Sequence, residues 1–281
     1  MHARRFSLLT VFLLTVMLAG AIPSQEVARH PGASALPFSG GERLVYSVKW
    51  DPPWYLFFLP SMEAGEAELH LAGETESQGK KAMRMVFTAR SSGSLASMAD
   101  MNIEDEFVFL AESGTFCTLA VSKKIREGKR KRQVDVEYLR GSGRLHIHEL
   151  DEAVAPPVVK KSEYKENIPD CVQDPFSALY FFRMSPLQQG FTQDLMLAND
   201  DQIKEIRCRV EKLEIVNTPV GRFTAWKVNT EALLGGLFKE GGQFKIWFSA
   251  DNRKLPLQFE VKVKLGHVLG KLKSSTYSVN Q

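Results

Sequence analysis

Two histidines placed two apart, His146 and His148 in "RLHIHEL", are the first residues whose types and spacing invite chemistry. In an extended segment both point to one side and could supply two metal ligands, with a carboxylate required from elsewhere. Two ligands do not make a site, and no metal is expected. The cysteines, Cys117, Cys171 and Cys208, are odd in number and never spaced CxxC. In an oxidising compartment one pair could bridge, but the spacing does not choose which. The simpler expectation is three small buried apolar side chains. Cys117, in the strand-like "GTFCTLA", has no activating base nearby in the sequence and reads as inert. Asp251 and Arg253 in "SADNR" could form a carboxylate–guanidinium pair, although Asp-Asn is also ordinary turn chemistry. HExxH, GxSxG, Walker and GxGxxG patterns are absent from the sequence. With no converging polar set, the chain is read as a non-enzyme without catalytic residues or cofactor.

Two further clusters suit binding rather than catalysis. Around Gly128, Lys123, Lys124, Arg126, Lys129, Arg130, Lys131 and Arg132 face only Glu127. Such a cluster could meet anionic lipid headgroups, lipopolysaccharide phosphates or nucleic acid, and a solvated hairpin tip is the plainer alternative. In "DPPWYLFFLPSM", Trp54, Tyr55, Leu56, Phe57, Phe58 and Leu59 lie between Pro53 and Pro60 and show no strand alternation. Exposed, this compact loop would suit a membrane interface or an apolar ligand; folded over the domain, it adds to the core.

The elements that must carry these residues are mostly strands. Leu44, Tyr46, Val48 and Trp50 share one parity, as do Ala67, Leu69 and Leu71, then Val134, Val136 and Tyr138, and Ile206, Cys208 and Val210. Leu257, Phe259, Val261, Val263 and Leu265 extend the longest such pattern, and a phase change after Gly266 predicts a glycine bulge or bend that curves the sheet. Turn signals near 128, 142, 219 and 251 separate the strands, of which about ten are evident, with two weaker candidates. One segment departs from this pattern. "DPFSALYFFRM" begins with Asp174 as N-cap and Pro175 at the first helical position, and it ends at "MSP". Phe176, Leu179 and Tyr180 form one stripe and Ala178, Phe181 and Phe182 a second, interrupted only by Ser177 and Arg183. A helix apolar on nearly all sides must be buried on nearly all sides, which a flat sheet cannot achieve. The expected fold is therefore mainly β: a large curved antiparallel sheet or incompletely closed β-barrel with one short buried helix near 174–184.

Arg4 and Arg5, the apolar run from Phe6 to Leu18 and the small residues Ala19-Gly20-Ala21 read as a cleaved export signal over residues 1–21. Ala21 stands where a lipoprotein would need Cys, so no lipid anchor is expected, and no later run is long enough to span a bilayer. Residues 22–37 read as a flexible leader and 38–281 as a single β-rich domain. Losing two of the 36 basic residues leaves 34 against 33 acidic, a net charge of +1 that selects no partner by itself. Export removes nucleic acid from consideration.

The stretches "PFSGGERLVYSVKW", "AGEAEL", "VQDPFSALYFFR" with "PLQQG", "VGRFTAWKV" and "IWFSADNRKLPLQFEVKVKLGHVLGKL" resemble a bacterial exported family, domain of unknown function 3108, over roughly residues 38–272. The resemblance implies a periplasmic or envelope-associated antiparallel β protein and brings no catalytic residues. Against that family's pattern the loop around residues 51–62 is an insertion. The function expected is binding of a lipid-like or hydrophobic ligand in the cell envelope, with Trp54, Tyr55, Phe57, Phe58, Phe181 and Phe182 as contact residues. The alternative is an envelope structural or assembly factor contacting a protein or membrane surface through the basic cluster or the aromatic loop.

Overall fold

The computed structural model describes residues 36–56, 58–93, 102–231, 243–263 and 266–276, which lie in one compact unit, Ser34–Gln281. Residues 1–21 and nearly all of the leader lie outside the described residues. The strands are β1 (Glu42–Asp51), β2 (Met62–Ser77), β3 (Lys80–Ser91), β4 (Glu104–Glu112), β5 (Thr118–Glu127), β6 (Arg130–Leu139) and β7 (Arg144–Asp151). They continue with β8 (Val158–Glu166), β9 (Thr192–Asn199), β10 (Gln202–Thr218), β11 (Gly221–Glu231), β12 (Gln243–Ser249), β13 (Pro256–Lys262) and β14 (His267–Ser275). One helix, α1 (Pro175–Met184), and one turn of 3₁₀ helix, Trp54–Leu56, complete the described elements.

All fourteen strands form one sheet in the order β8-β7-β6-β5-β4-β3-β2-β1-β14-β13-β12-β11-β10-β9. Every neighbouring pair is antiparallel. Because β1 pairs with β14, the meander curls round on itself, and its gap falls in mid-chain, between β8 and β9. The fold is thus an incompletely closed β-barrel, and α1 lies in the connection between its two edge strands. Strict alternation of direction also sorts the loops. The β1–β2, β5–β6 and β9–β10 connections share one end of the sheet; the β4–β5 and β12–β13 connections and α1 belong to the other.

The phase of each strand sets its inner face. Leu44 and Tyr46, Leu69 and Leu71, Met83 and Met85, Val134 and Val136, and Ile206 and Cys208 are buried, as the sequence alternation requires. Curvature comes from register shifts within the pairs, including β1 against β2, β2 against β3 and β10 against β11. It does not come from a bulge at Gly266. The strand expected to continue through Val263 and Leu265 ends at Lys262, and Gly266, at φ +89°, forms the turn into β14, where a Cβ would come within 2.0 Å of the Asp51 carbonyl oxygen. The phase change in the sequence marked a hairpin, not a bend. The strand count was also low, because edge strand β8 is exposed at seven of its nine positions and shows no apolar alternation.

The cysteines are not three separate buried thiols. Cys117 and Cys171 form a disulfide closing a loop across 54 positions, while Cys208 alone is free and buried, its thiol pushed up to about 12 by loss of solvent. The bridge ties the β4–β5 loop to the segment entering α1, a link between residues that no local pattern relates. A loop of this length is worth about 4 kcal/mol in the chain-entropy account. Replacing both Cys117 and Cys171 by Ser should lower the thermal midpoint by roughly 10 °C, and dithiothreitol should do the same to the unsubstituted protein but not to the double variant. Calorimetry with and without reductant checks both.

Candidate functional site

The helix end of the barrel is built around charge. Asp174 accepts backbone N–H bonds from Phe176 and Ser177 at 2.8 and 3.0 Å, and Thr118 Oγ1 donates to its other oxygen at 2.8 Å. Burial pushes the Asp174 carboxyl up, against the pull of its hydrogen bonds from Ser177, Thr118 and Phe176. At the other end of α1, Arg183 meets Glu42, the first residue of β1, in a bidentate pair at 2.5 and 2.8 Å, and both side chains are 0 % exposed. Tyr180 Oη donates to the same carboxylate at 2.9 Å, and the guanidinium lies 5.0 Å from the Phe38 ring and 5.2 Å from that of Tyr180. Burial works against the arginine's charge, but Glu42 more than offsets it and raises its pKa. Ser177 and Arg183, read as interruptions of an apolar surface, are among its most deeply buried residues.

Two motifs converge on this pair. Arg183 Nη2 donates to the carbonyl oxygen of Arg253 at 3.1 Å, and Lys254 Nζ donates to that of Ser185 at 2.6 Å. Asp251 holds the intervening turn: it accepts from Ser249 Oγ, Arg253 N and the Arg253 guanidinium. The "SADNRK" stretch therefore contains the anticipated carboxylate–guanidinium pair and uses it to shape a turn that receives the helix. Beside it lies an open cleft of about 560 Å³ flanked by Arg222, Phe223, Asp251 and Arg253. The space nearer the start of the helix, bordered by Thr118, Tyr138, Ile168 and Val172, is only about 10 Å³, room for about one water.

At the gap between β8 and β9, the Gln173 backbone pairs with β9, its N–H donating to the Met196 carbonyl and its carbonyl accepting from the Ala198 N–H, each at 2.8 Å, and side chains reach across from β8. Lys161 and Lys165 of β8 both reach Asp201 in the β9–β10 turn, the first at 2.5 Å, and Lys123 of β5 reaches Asp200 at 2.6 Å and Asn199 at 3.2 Å. Burial raises the Asp201 carboxyl, but hydrogen bonds from the two lysines outweigh it and hold the group below its ordinary value.

Among the described residues the opposite end is less buried. On four strands one inner face runs from buried near the helix to half-buried away from it: Leu44 and Tyr46 to Val48, Met83 and Met85 to Phe87, Ala111 and Phe109 to Phe107, and Phe248 and Ile246 to Phe244. Phe87 and Phe107 lie 5.7 Å apart, and Phe176 of α1 closes on Phe87 at 4.7 Å. Across the barrel Phe244 and Phe259 lie 6.5 Å apart; Gly270 admits the Phe259 ring, since a Cβ there would come within 2.1 Å of it.

The residues singled out from the sequence separate by location. Trp54 (87 % exposed), Tyr55 and Phe58 (67 %) project from the β1–β2 connection; Phe57 lies outside the described residues. Phe181 and Phe182 are packed inside the helix plug, whereas Phe176 and Leu179, like Pro175 and Met184 at the helix ends, are half-buried. In the basic cluster, Lys123 turns inward, and Lys124, Arg126, Arg130 and Arg132 pair with Glu106, Glu152, Glu127 and Glu149. Lys129 and Lys131 are exposed and make no ion pair among the described residues. His146 and His148 share the outer face of β7, His146 stacking on Tyr164 at 4.5 Å, and the described residues contain no metal-binding cluster of three or more His, Cys, Asp or Glu. Sequence reading missed Glu42, Lys161, Lys165 and Asp201. Glu42 had a signal: it occupies the inner parity of β1, two positions before Leu44.

Residues 45–273 match the model of the family described as "Protein of unknown function (DUF3108)". The chain belongs to this family. The DUF3108 chain also resembles the beta-barrel-like protein of domain of unknown function DUF1849 from Brucella abortus, with a TM-score of 0.55 at 11% identity, over 85% of this chain and 98% of that one. That likeness is one of fold. A presumed exported protein with YmcC-like fold from Bacteroides fragilis matches at TM-score 0.36 and 11% identity, covering 86% of this chain and 98% of its own. A presumed lipoprotein from Parabacteroides distasonis matches at 0.36 and 9%, covering 87% and 100%. No curated protein matches the DUF3108 chain significantly. Among its described residues no helix is long and apolar enough to cross a membrane.

Breaking the buried pair from one side should cost about 3–5 kcal/mol, because the remaining charge stays out of water. Glu42→Gln and Arg183→Met should each show this loss in urea melts, and the double variant should lose less than their sum; strict additivity would contradict the coupling. The seam has a different signature. Asp201, with its lowered pKa, contributes stability that is fully present above pH about 4 and is lost as pH falls through its depressed folded value. Asp201→Asn should remove that acid-side slope and, at pH 7, speed hydrogen exchange in β8, as measured by mass spectrometry.

Proposed function

We propose that this DUF3108 protein is an exported, non-catalytic binding module of the cell envelope that holds a lipid-like or otherwise hydrophobic ligand in the open half of its barrel. The observation that carries this reading is the gradient of burial along the inner faces of β1, β3, β4 and β12. The helix end is packed and electrostatically locked, while Val48, Phe87, Phe107 and Phe244 keep part of their apolar surface open on a concave wall. A domain gains nothing for its own stability by leaving such side chains half-buried inside a barrel; an apolar guest would complete the burial. Phe176 and Leu179 of α1 form the floor of this space, and Phe259, whose ring occupies the room left by Gly270, lines its wall.

In this reading export rests on the signal segment at residues 1–21. The protein acts without a cofactor in this reading, and its disulfide suits an oxidising compartment.

A solvatochromic hydrophobic probe should gain fluorescence with the protein in detergent-free buffer, and an excess of a long-chain fatty acid should displace it. Phe87→Ser with Phe244→Ser should weaken probe binding at least tenfold while the thermal midpoint moves less than for Phe182→Ala, whose ring lies in the plug and should cost about 3–5 kcal/mol. No probe uptake by the unsubstituted protein, or unchanged uptake by the double variant, would count against the open half as the binding site.

A further inference from the structure

We propose that the open end of the barrel docks on an anionic lipid bilayer, with Trp54, Tyr55 and Phe58 entering the interface and Lys129 and Lys131 meeting the headgroups. The inference deepens the ligand reading, because it places the mouth of the apolar space against the phase that contains lipids, but it stands on separate residues.

The topology puts these two groups together. Strands β1 and β5 run in the same direction, four places apart in an antiparallel sheet, so the β1–β2 connection and the β5–β6 hairpin emerge from one end. At about 4.8 Å per strand they are roughly 19 Å apart along the sheet, within one contact face. It is also the end toward which the inner faces of β1, β3, β4 and β12 become less buried.

Chemistry then selects the occupant. The exposed side chains of the first group combine a Trp, a Tyr and a Phe, amphipathic and apolar rings of the types that settle at the boundary between headgroups and acyl chains. Trp54 and Tyr55 pack edge to face at 5.9 Å on one turn of 3₁₀ helix flanked by prolines, so the rings are presented on a short stiff element. The remaining basic side chains of the second group are mostly neutralised by glutamates, which leaves Lys129 and Lys131 as the charges directed outward at the hairpin tip. Two cations with three exposed rings match an anionic interface, where apolar insertion and electrostatic attraction add. They fit less well with an acidic protein surface, which has no use for a deeply inserted Phe58. The helix end offers no such combination: its cleft holds Arg253 already engaged by Asp251.

The test is flotation of the chain from Ile22 onward, without the signal segment, which would itself bind lipid. Vesicles are phosphatidylcholine alone or phosphatidylcholine with 30 mole per cent phosphatidylglycerol (about one lipid in three, a composition anionic enough to give a surface potential). The protein should float with the anionic vesicles and not with the neutral ones. Trp54→Ser with Phe58→Ser, and separately Lys129→Glu with Lys131→Glu, should each reduce the bound fraction at least tenfold, with salt weakening only the charge-dependent part. Equal recovery with both vesicle types, no recovery with either, or unchanged binding by both double variants would overturn the proposal. The same variants tested for probe uptake in vesicle-free buffer separate the two readings. Retained uptake with lost flotation supports docking as a distinct role of the rim, whereas flotation by a protein that takes up no probe would sink the ligand reading and leave docking standing.

Discussion

A carboxylate and a guanidinium withdrawn from water are tolerable only when they satisfy each other, and in this protein Glu42 and Arg183 do so across 141 positions of sequence. That contact fixes where α1 must sit. Glu42 opens β1, the strand that joins the two ends of the meander through β14; Arg183 stands in the last turn of the helix that fills the mid-chain gap. The pair therefore fastens the plug to one of the two central strands of the sheet. Neighbouring contacts depend on it: Tyr180 donates to the same carboxylate, Arg253 offers its carbonyl oxygen to the same guanidinium, and Lys254 holds the carbonyl of Ser185. A buried ion pair is weak evidence for net stability, since its desolvation is costly. Its value here is specificity, because an apolar rod inside an apolar barrel could otherwise slide or rotate.

The two ends of the molecule consequently have different physical characters. The helix end is fastened by a disulfide, an N-cap tied to Thr118 and the Glu42–Arg183 pair. The other end carries half-buried phenylalanines inside and exposed aromatics outside. Between β8 and β9 the wall is held by Lys161, Lys165 and Asp201, interactions that are weaker than a ladder of backbone hydrogen bonds and sensitive to salt.

Much of the architecture was legible because it is written in short-range periodicity. Parity alone placed Leu44, Tyr46, Leu69, Val136 and Cys208 on the inner face, and Asp174-Pro175 marked the start of α1 to the residue. What escaped was long-range. Nothing near Cys117 points to Cys171, and nothing near Asp201 points to Lys161. Arg183 looked like a flaw in an apolar helix because its partner lies at the far end of the chain. Edge strand β8 escaped for another reason: with little burial on either face, it has no alternation to read. The misreading of Gly266 shows a limit of pattern itself, since a phase change in apolar residues fits a bulge and a hairpin turn equally well. On the helix, Phe181 and Phe182 are packed while Phe176 and Leu179 stay half-buried, a difference the sequence does not carry because only the curvature of the sheet decides how far each stripe is covered.

The most direct measurement is native mass spectrometry of the protein isolated from its own cell envelope without detergent, followed by extraction and identification of whatever leaves on activation. A filled apolar interior predicts one adduct per chain with the mass of a lipid-like molecule, lost when Phe87 and Phe244 are replaced by Ser. A spectrum containing only the bare chain, from protein that also refuses a hydrophobic probe, would contradict the account.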